Sequence, residues 1–232
     1  MYLFYQPQLV DNINYLDAAE SRHCVKVLRL NEGDEITIVD GAGGWYKSTI
    51  TEANPKKCEF TVLEKTLTTT KDFYIHIAIA PTKNLDRLEW FAEKAVELGI
   101  DEISFVICDN SERKVLKTDR IIKKALSAMK QSLKANLPKI NEPISFNKFI
   151  GDIKQDNKFI AYVDKANPDH LLKVSPVNSS YCVLIGPEGD FSTKELGFAL
   201  NSGYAKVSLG ASRLRTETAG IAACHILNLR NE

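Results

Sequence analysis

Two stretches in the last third of the 232-residue chain carry residue types that could hold a ligand. The first is Gly186-Pro187-Glu188-Gly189-Asp190. The second is Leu209-Gly210-Ala211-Ser212-Arg213-Leu214-Arg215-Thr216-Glu217-Thr218-Ala219. Each follows a short apolar run and precedes a helical pattern. Glycines let the backbone approach a ligand closely, and a helix N-terminus offers N–H groups with no partner inside the helix. Taken alone, Gly186 to Gly189 reads first as a tight turn, with Pro187 at its second position and Gly189 at its fourth. Two such loops, about two dozen residues apart, favour a site over a turn.

The elements around the loops follow from periodicity and capping. Residues 183–185 are apolar without alternation, as in a strand buried on both faces. Ser192 and Glu195 have capping-box spacing, so a helix starts there, and Gly203 is a natural stop. The plan repeats as a strand over 205–209, a turn at Gly210 and a helix over about 218–229. Strand-loop-helix units in succession imply a parallel α/β sheet whose ligand loops lie at the strands' C-terminal ends.

Upstream, residues 1–70 read as mostly β, with strands over 35–39, 45–51 and 58–63, a turn at 40–44 and a short helix over 17–28. Several short strands in that space suggest a small barrel. The polar stretch 66–72 places a boundary between a domain over 1–70 and a second over 73–232. The second opens with a buried strand over 73–80. An amphipathic helix follows, with Leu85, Leu88, Ala92, Ala95 and Leu98 at helical spacing and Gly99 as its stop. Strands are expected over 103–107 and 159–163, and a loop with one helical turn over 164–178.

Composition removes several classes of function. Five cysteines and four histidines lack ligand spacing, so neither a metal site nor a disulfide framework is implied, and the thiols suit a reducing cytoplasm. No apolar run approaches the ~20 residues of a membrane span, and the N-terminus lacks signal-peptide features. A nucleotide-phosphate loop of the Gly-Lys-Ser/Thr type is missing. Net charge is zero, yet the cations are concentrated: residues 113–139 hold nine basic side chains and one acidic. A helix over 118–135 would place Ile122, Ala125, Leu126, Met129 and Leu133 on one face. Lys117, Arg120, Lys123, Lys124, Lys130 and Lys134 would lie on the other. A cations-only face suits phosphate contact, and a solvated face is the alternative.

The pairing of Gly-Pro-Glu-Gly with Leu-Gly…Leu-Arg-Thr-Glu-Thr-Ala resembles the SPOUT (α/β-knot) methyltransferases. Among them it is most similar to the family that methylates N3 of a uridine in 16S ribosomal RNA. The likeness extends to Lys83…Arg87…Glu89…Lys94-Ala-Val-Glu97-Leu-Gly99, to Ser111-Glu112-Arg113 and to Gln131-Ser132…Pro138. It also takes in His23-Cys-Val-Lys26-Val-Leu-Arg29…Gly33-Asp34, which resembles that family's PUA-like RNA-binding domain. The resemblance implies a small N-terminal PUA-like β-barrel before a trefoil-knotted domain with a parallel sheet. It implies S-adenosylmethionine bound by Leu184, Ile185, Gly186, Gly189, Leu209, Gly210, Leu214 and Thr216, with Arg215 as the catalytic residue. RNA would meet His23, Arg29, Arg113, Lys123, Lys124, Lys130 and Lys134. The implied partners are 16S ribosomal RNA within the assembled small subunit and a second copy of the chain, in the cytoplasm.

The chain departs from the family pattern at Asp190, where a second glycine is usual, and at Ser212-Arg213, where an Arg-Ile pair is usual. For Arg215 the alternative is an ion pair with Glu217 or Glu188. A SPOUT enzyme acting on a ribose hydroxyl or on transfer RNA, and a non-catalytic RNA-binding protein, are the rival readings.

Overall fold

The structure, a computed structural model, describes residues 2–11, 13–163 and 169–232. It falls into two compact units: residues 1–70 with 129–137, and residues 71–128 with 138–232.

The first unit is built on a four-stranded sheet, in the order β1 (Leu3–Tyr5), β2 (Glu35–Val39), β3 (Gly44–Glu52), β4 (Glu59–Leu67). Strand β1 runs parallel to β2, and the other pairs are antiparallel. Phe4, Leu16, Ile36, Ile38, Ile50 and Phe60 fill its core. Asp40 fixes the β2–β3 turn: Oδ1 accepts from the N–H groups of Ala42 (2.7 Å) and Gly44 (2.9 Å), and Oδ2 from the Tyr46 hydroxyl (2.9 Å). Residues 135–137 brace the same turn, through Gly43 N–H to the Ala135 carbonyl and Leu137 N–H to the Gly41 carbonyl. Helix α1 (Ala18–Arg22), capped by Asp17, widens into a π turn over His23–Val27.

The second unit carries one parallel sheet. After β5 (Tyr74–Ile79) come α2 (Leu85–Leu98), β6 (Glu102–Ile107), α3 (Asp119–Gln131), β7 (Lys139–Ile140) and β8 (Ile144–Ser145). They are followed by α4 (Phe146–Asp152), β9 (Asn157–Ala161), α5 (Leu171–Val174), β10 (Ser180–Ile185), α6 (Thr193–Asn201), β11 (Ala205–Val207) and α7 (Thr216–Asn231). The strand order is β11-β9-β10-β5-β6-β7, with β8 also on β6, and every pairing is parallel. Cys182 and Leu184 of β10 face a core with Phe146, Phe149, Ile150 and Ala199 of α4 and α6. The opposite face carries α7 against α2 and β5, where a Cβ on Gly220 would stand 2.6 Å from the Phe91 ring and 3.2 Å from Ile79. Both faces are covered, which is why the strands read as unbroken apolar runs.

The caps act as their residue types require. Asn84 accepts from Asp86 N–H, and Gly99 ends α2 at φ 86°. Ser192 and Glu195 form the reciprocal capping box of α6. Other expectations shift. Helix α7 begins two residues earlier, at Thr216, and the tight turn spans Pro187 to Asp190, closed by Asp190 N–H on the Pro187 carbonyl (2.9 Å). Its last residue, Asp190, adopts the left-handed conformation at φ 61°. In α3 the buried face is Ile121, Ala125, Ala128 and Met129, while Ile122 is exposed; Leu133 lies past the helix end at φ 51°. The apolar stripe is thus turned by one residue from the sequence pattern. Of the loop expected over 164–178, residues 164–168 lie outside the described residues, and α5 supplies the helical turn.

Beneath the N-terminal ends of β5 and β6 lies a buried polar cluster. His76, 2% exposed, has Nε2 at 2.8 Å from Ser104 Oγ. Glu102 accepts from Lys139 (2.8 Å), Asn141 (2.6 Å) and the Tyr74 hydroxyl (3.0 Å). Burial pushes the His76 pKa below its ordinary 6.5, against the pull of Glu102. The folded state therefore prefers neutral histidine while the unfolded chain takes up a proton near pH 6.5. Stability from this group is complete above that pH and declines as pH falls below it. Urea midpoints measured from pH 8 to 5.5 should drop on the acid side, with a shallower drop in His76→Gln.

Candidate active site

Strands β11, β9 and β10 are neighbours and parallel, so their C-terminal ends open on one side. There they surround a cavity of about 520 Å³. From the end of β9 and the residues after it come Ala161, Tyr162 and Val163; from the end of β10 and its loop, Ile185, Gly186, Pro187, Glu188 and Asp190. From β11 and the loop before α7 come residues 207–216, joined by Ala219.

Thr216 joins the two loops that the sequence singles out. Its hydroxyl donates to the Gly186 carbonyl at 3.0 Å, and its side chain is buried. Gly186 itself sits close under the Phe191 ring, 3.0 Å from where a Cβ would stand, so a larger residue there would have to displace the ring. Gly210 turns the second loop at φ 125°, a conformation side chains disfavour. A second brace comes from the loop after β6. Asn110 donates to the carbonyls of Gly189 (3.2 Å) and Asp190 (3.0 Å), and Asp109 N–H donates to Glu195 (2.8 Å).

Of the eight residues expected around a cofactor, six line the cavity: Ile185, Gly186, Leu209, Gly210, Leu214 and Thr216. Leu184 does not; it points into the core beside Ala199, because successive residues of a strand face opposite ways. Gly189 is also off the wall, pressed against Asn110, with 3.2 Å between a Cβ there and that of Asn110. The β9 residues were missed, since no local pattern shows that β9 sits between β11 and β10.

The charges of the rim are distributed unevenly. Glu188 Oε1 accepts from Lys83 N–H at 3.2 Å. Burial raises the Asp190 carboxyl above its ordinary pKa, against the Phe191 N–H and the charge of Arg213. Glu217 lies 3.7 Å from the Arg87 guanidinium. Arg215 is exposed on the cavity wall, and its guanidinium has no hydrogen bond or ion pair among the described residues. The ion pairs with Glu217 or Glu188 considered from sequence do not form.

The backbone-lined cavity on the parallel sheet thus carries two guanidinium groups, Arg213 and Arg215, neither in an ion pair among the described residues. The RNA methyltransferase domain family matches residues 69–228, and the RNA methyltransferase PUA domain family matches residues 16–63. The chain belongs to the RNA methyltransferase family. The resemblance carried by the two loops is borne out at that level. Ribosomal RNA small subunit methyltransferase E of Bacillus subtilis (strain 168) is 28% identical, with 92% of this chain and 88% of the relative covered. The crystal structure of a probable rRNA-methyltransferase from Porphyromonas gingivalis superposes with a TM-score of 0.92 at 41% identity, covering 99% of each chain. That of a Ribosomal RNA small subunit methyltransferase E from Neisseria gonorrhoeae, bound to S-adenosyl methionine, superposes at 0.83 with 28% identity, covering 97% and 95%.

For an RNA methyltransferase the cationic side chains matter next, and each unit holds its own set. In the first, His23, Lys26 and Arg29 are exposed on the π turn and the residues after it, while Lys130 is paired with Glu20. In the second, Arg120 pairs with Glu89 (2.7 Å) and Lys124 with Glu93 (3.7 Å). Arg113 is committed to the backbone, donating to the carbonyls of Thr82 (3.1 Å) and Lys83 (2.7 Å). Lys123 and Lys134 form no ion pair among the described residues. The face that carries only cations in sequence thus finds its acids on other elements.

Proposed function

We propose that the chain transfers the methyl group of S-adenosylmethionine to N3 of a specific uridine in 16S ribosomal RNA. The observation that carries this reading is Arg215, an uncommitted guanidinium on the wall of a cavity built from both family loops. The cavity suits the cofactor. Ile185, Leu209 and Leu214 offer apolar surface for a flat base, and the glycine loops offer backbone donors and acceptors for a ribose and an amino acid. The Neisseria relative of the same fold holds that molecule. When bound, the cofactor supplies a methyl group on a sulfonium, which is already a good leaving group, so the protein's work is positioning and charge management. Neutral uracil N3–H is a poor nucleophile. Arg215 stabilises the negative charge that develops on the ring as the proton departs.

Around this centre the remaining parts take places. Lys123, with His23 and Arg29 on the first unit and Lys134 in its 129–137 segment, contacts RNA phosphates, and Lys124 and Lys130 do so only by exchanging their carboxylate partners. The assembled small subunit in the cytoplasm is the proposed substrate, and the segment from β11 into α7 the knotted part of the domain. Helix α7 presents exposed His225 and Leu229 beside half-buried Ile221 and Ala222, a face suited to a second copy.

Three measurements test this reading. Single-turnover methylation by Arg215→Ala should be slower by about 10²–10³-fold with calorimetric cofactor affinity unchanged, and Arg215→Lys should recover part of the loss. A variant that fails only because cofactor no longer binds would make Arg215 structural. Lys123→Glu should weaken RNA binding and reduce its salt slope by about 0.7–0.9 log units per lost contact; an unchanged slope means a merely solvated lysine. Sedimentation equilibrium at micromolar concentration should give a dimer mass, and a fully active monomer overturns the α7 interface.

A further inference from the structure

Arg215 lines a second depression as well as the cavity. This one, about 350 Å³, is formed by Asp86, Arg87 and Trp90 of α2 with Arg215, Glu217 and Thr218 at the start of α7. Two of its residues are costly where they stand. Trp90 leaves a large aromatic side chain 43% exposed. Glu217 is only 6% exposed, yet among the described residues Oε2 has no hydrogen-bond partner and Oε1 meets the Arg87 guanidinium at 3.7 Å. A buried carboxylate without hydrogen bonds is unfavourable and keeps acceptor capacity for a donor brought by a ligand.

We infer that this depression is the pocket for the target uracil, and that the Glu217 carboxylate receives the N3 proton. The inference rests on the N3-methylation reading above. The chemistry of the lining matches one base. Uracil presents an acceptor, a donor and an acceptor along its pairing edge: O4, N3–H and O2. Arg87 and Arg215 can donate only, and ionised Glu217 can accept only. Cytosine has a bare acceptor at N3, which would face the carboxylate with like charge. Trp90 supplies a flat surface on which the ring stacks. Because Arg215 belongs to both walls, a base held here lies next to the methyl donor's cavity.

In the transfer, the N3–H proton passes to a Glu217 oxygen while the N3 electron pair forms the bond to the methyl carbon. The electron pair of the broken carbon–sulfur bond stays on sulfur, leaving a neutral thioether. Glutamic acid then gives its proton to water. This makes Glu217 the general base and Arg215 the stabiliser of charge on the ring, two roles that need opposite charges side by side.

The test separates binding from chemistry. In a Trp45→Phe background Trp90 is the one tryptophan. Oligouridylate should quench its fluorescence at lower concentration than oligocytidylate does, and Trp90→Ala should bind oligouridylate roughly tenfold more weakly. Glu217→Gln should bind cofactor as the wild type does but methylate about 10²–10⁴-fold more slowly at neutral pH, regaining rate as pH rises and solvent takes the proton. Equal quenching by both oligomers, or a Glu217→Gln variant that methylates at the wild-type rate, overturns the proposal. If the wild type leaves no methyl group on uridine N3 of ribosomal RNA, the reading it rests on fails. The depression is then judged by fluorescence alone: selective quenching by oligouridylate upholds a uracil pocket, and its absence overturns it.

Discussion

The hydrogen bond from Thr216 to the Gly186 carbonyl holds together two loops that enter the site from different strands. It is possible only because α7 begins at Thr216, with Arg215 still extended at φ −73°, ψ 158°. One more turn of helix at that end would draw Arg215 into the α-conformation and carry the hydroxyl away from Gly186. The same helix needs Gly220 where it crosses Phe91 and Ile79, since a side chain there has no space. The position of the Arg215 guanidinium is therefore set from two sides: by a side-chain hydrogen bond at the helix start and by close packing one turn later. Both contacts decide where Arg215 stands.

Much of this organisation is legible in the residues because its causes are local. A capping box needs only Ser192 and Glu195, and the stop at Gly99 needs only a left-handed glycine. Strands buried on both faces announce themselves by missing alternation. What was not legible depends on partners distant in sequence. Lys124 and Lys130 read as part of an unneutralised face because Glu93 and Glu20 lie on other elements. Arg113 reads as an RNA contact until its guanidinium is seen holding the carbonyls of Thr82 and Lys83. The wall supplied by Tyr162 and Val163 follows from strand order, which periodicity does not encode. In α3, Ile121 and Ile122 are adjacent and equally apolar, so the pattern alone cannot say which one faces inward; packing chose Ile121.

Asp190 shows how a departure from a family pattern can keep the geometry. The position needs a positive φ, which glycine adopts freely and aspartate tolerates better than most residues. Here Oδ1 accepts the Phe191 N–H at 2.8 Å and stabilises the turn that a glycine would leave to the backbone alone. The exchange adds a carboxyl group to the cavity wall, and burial works against its ionisation. Arg213, the other departure, is the cation whose charge bears on it. Arg215 forms no ion pair among the described residues, so the proposed role leaves its charge free for an anion that forms only during reaction.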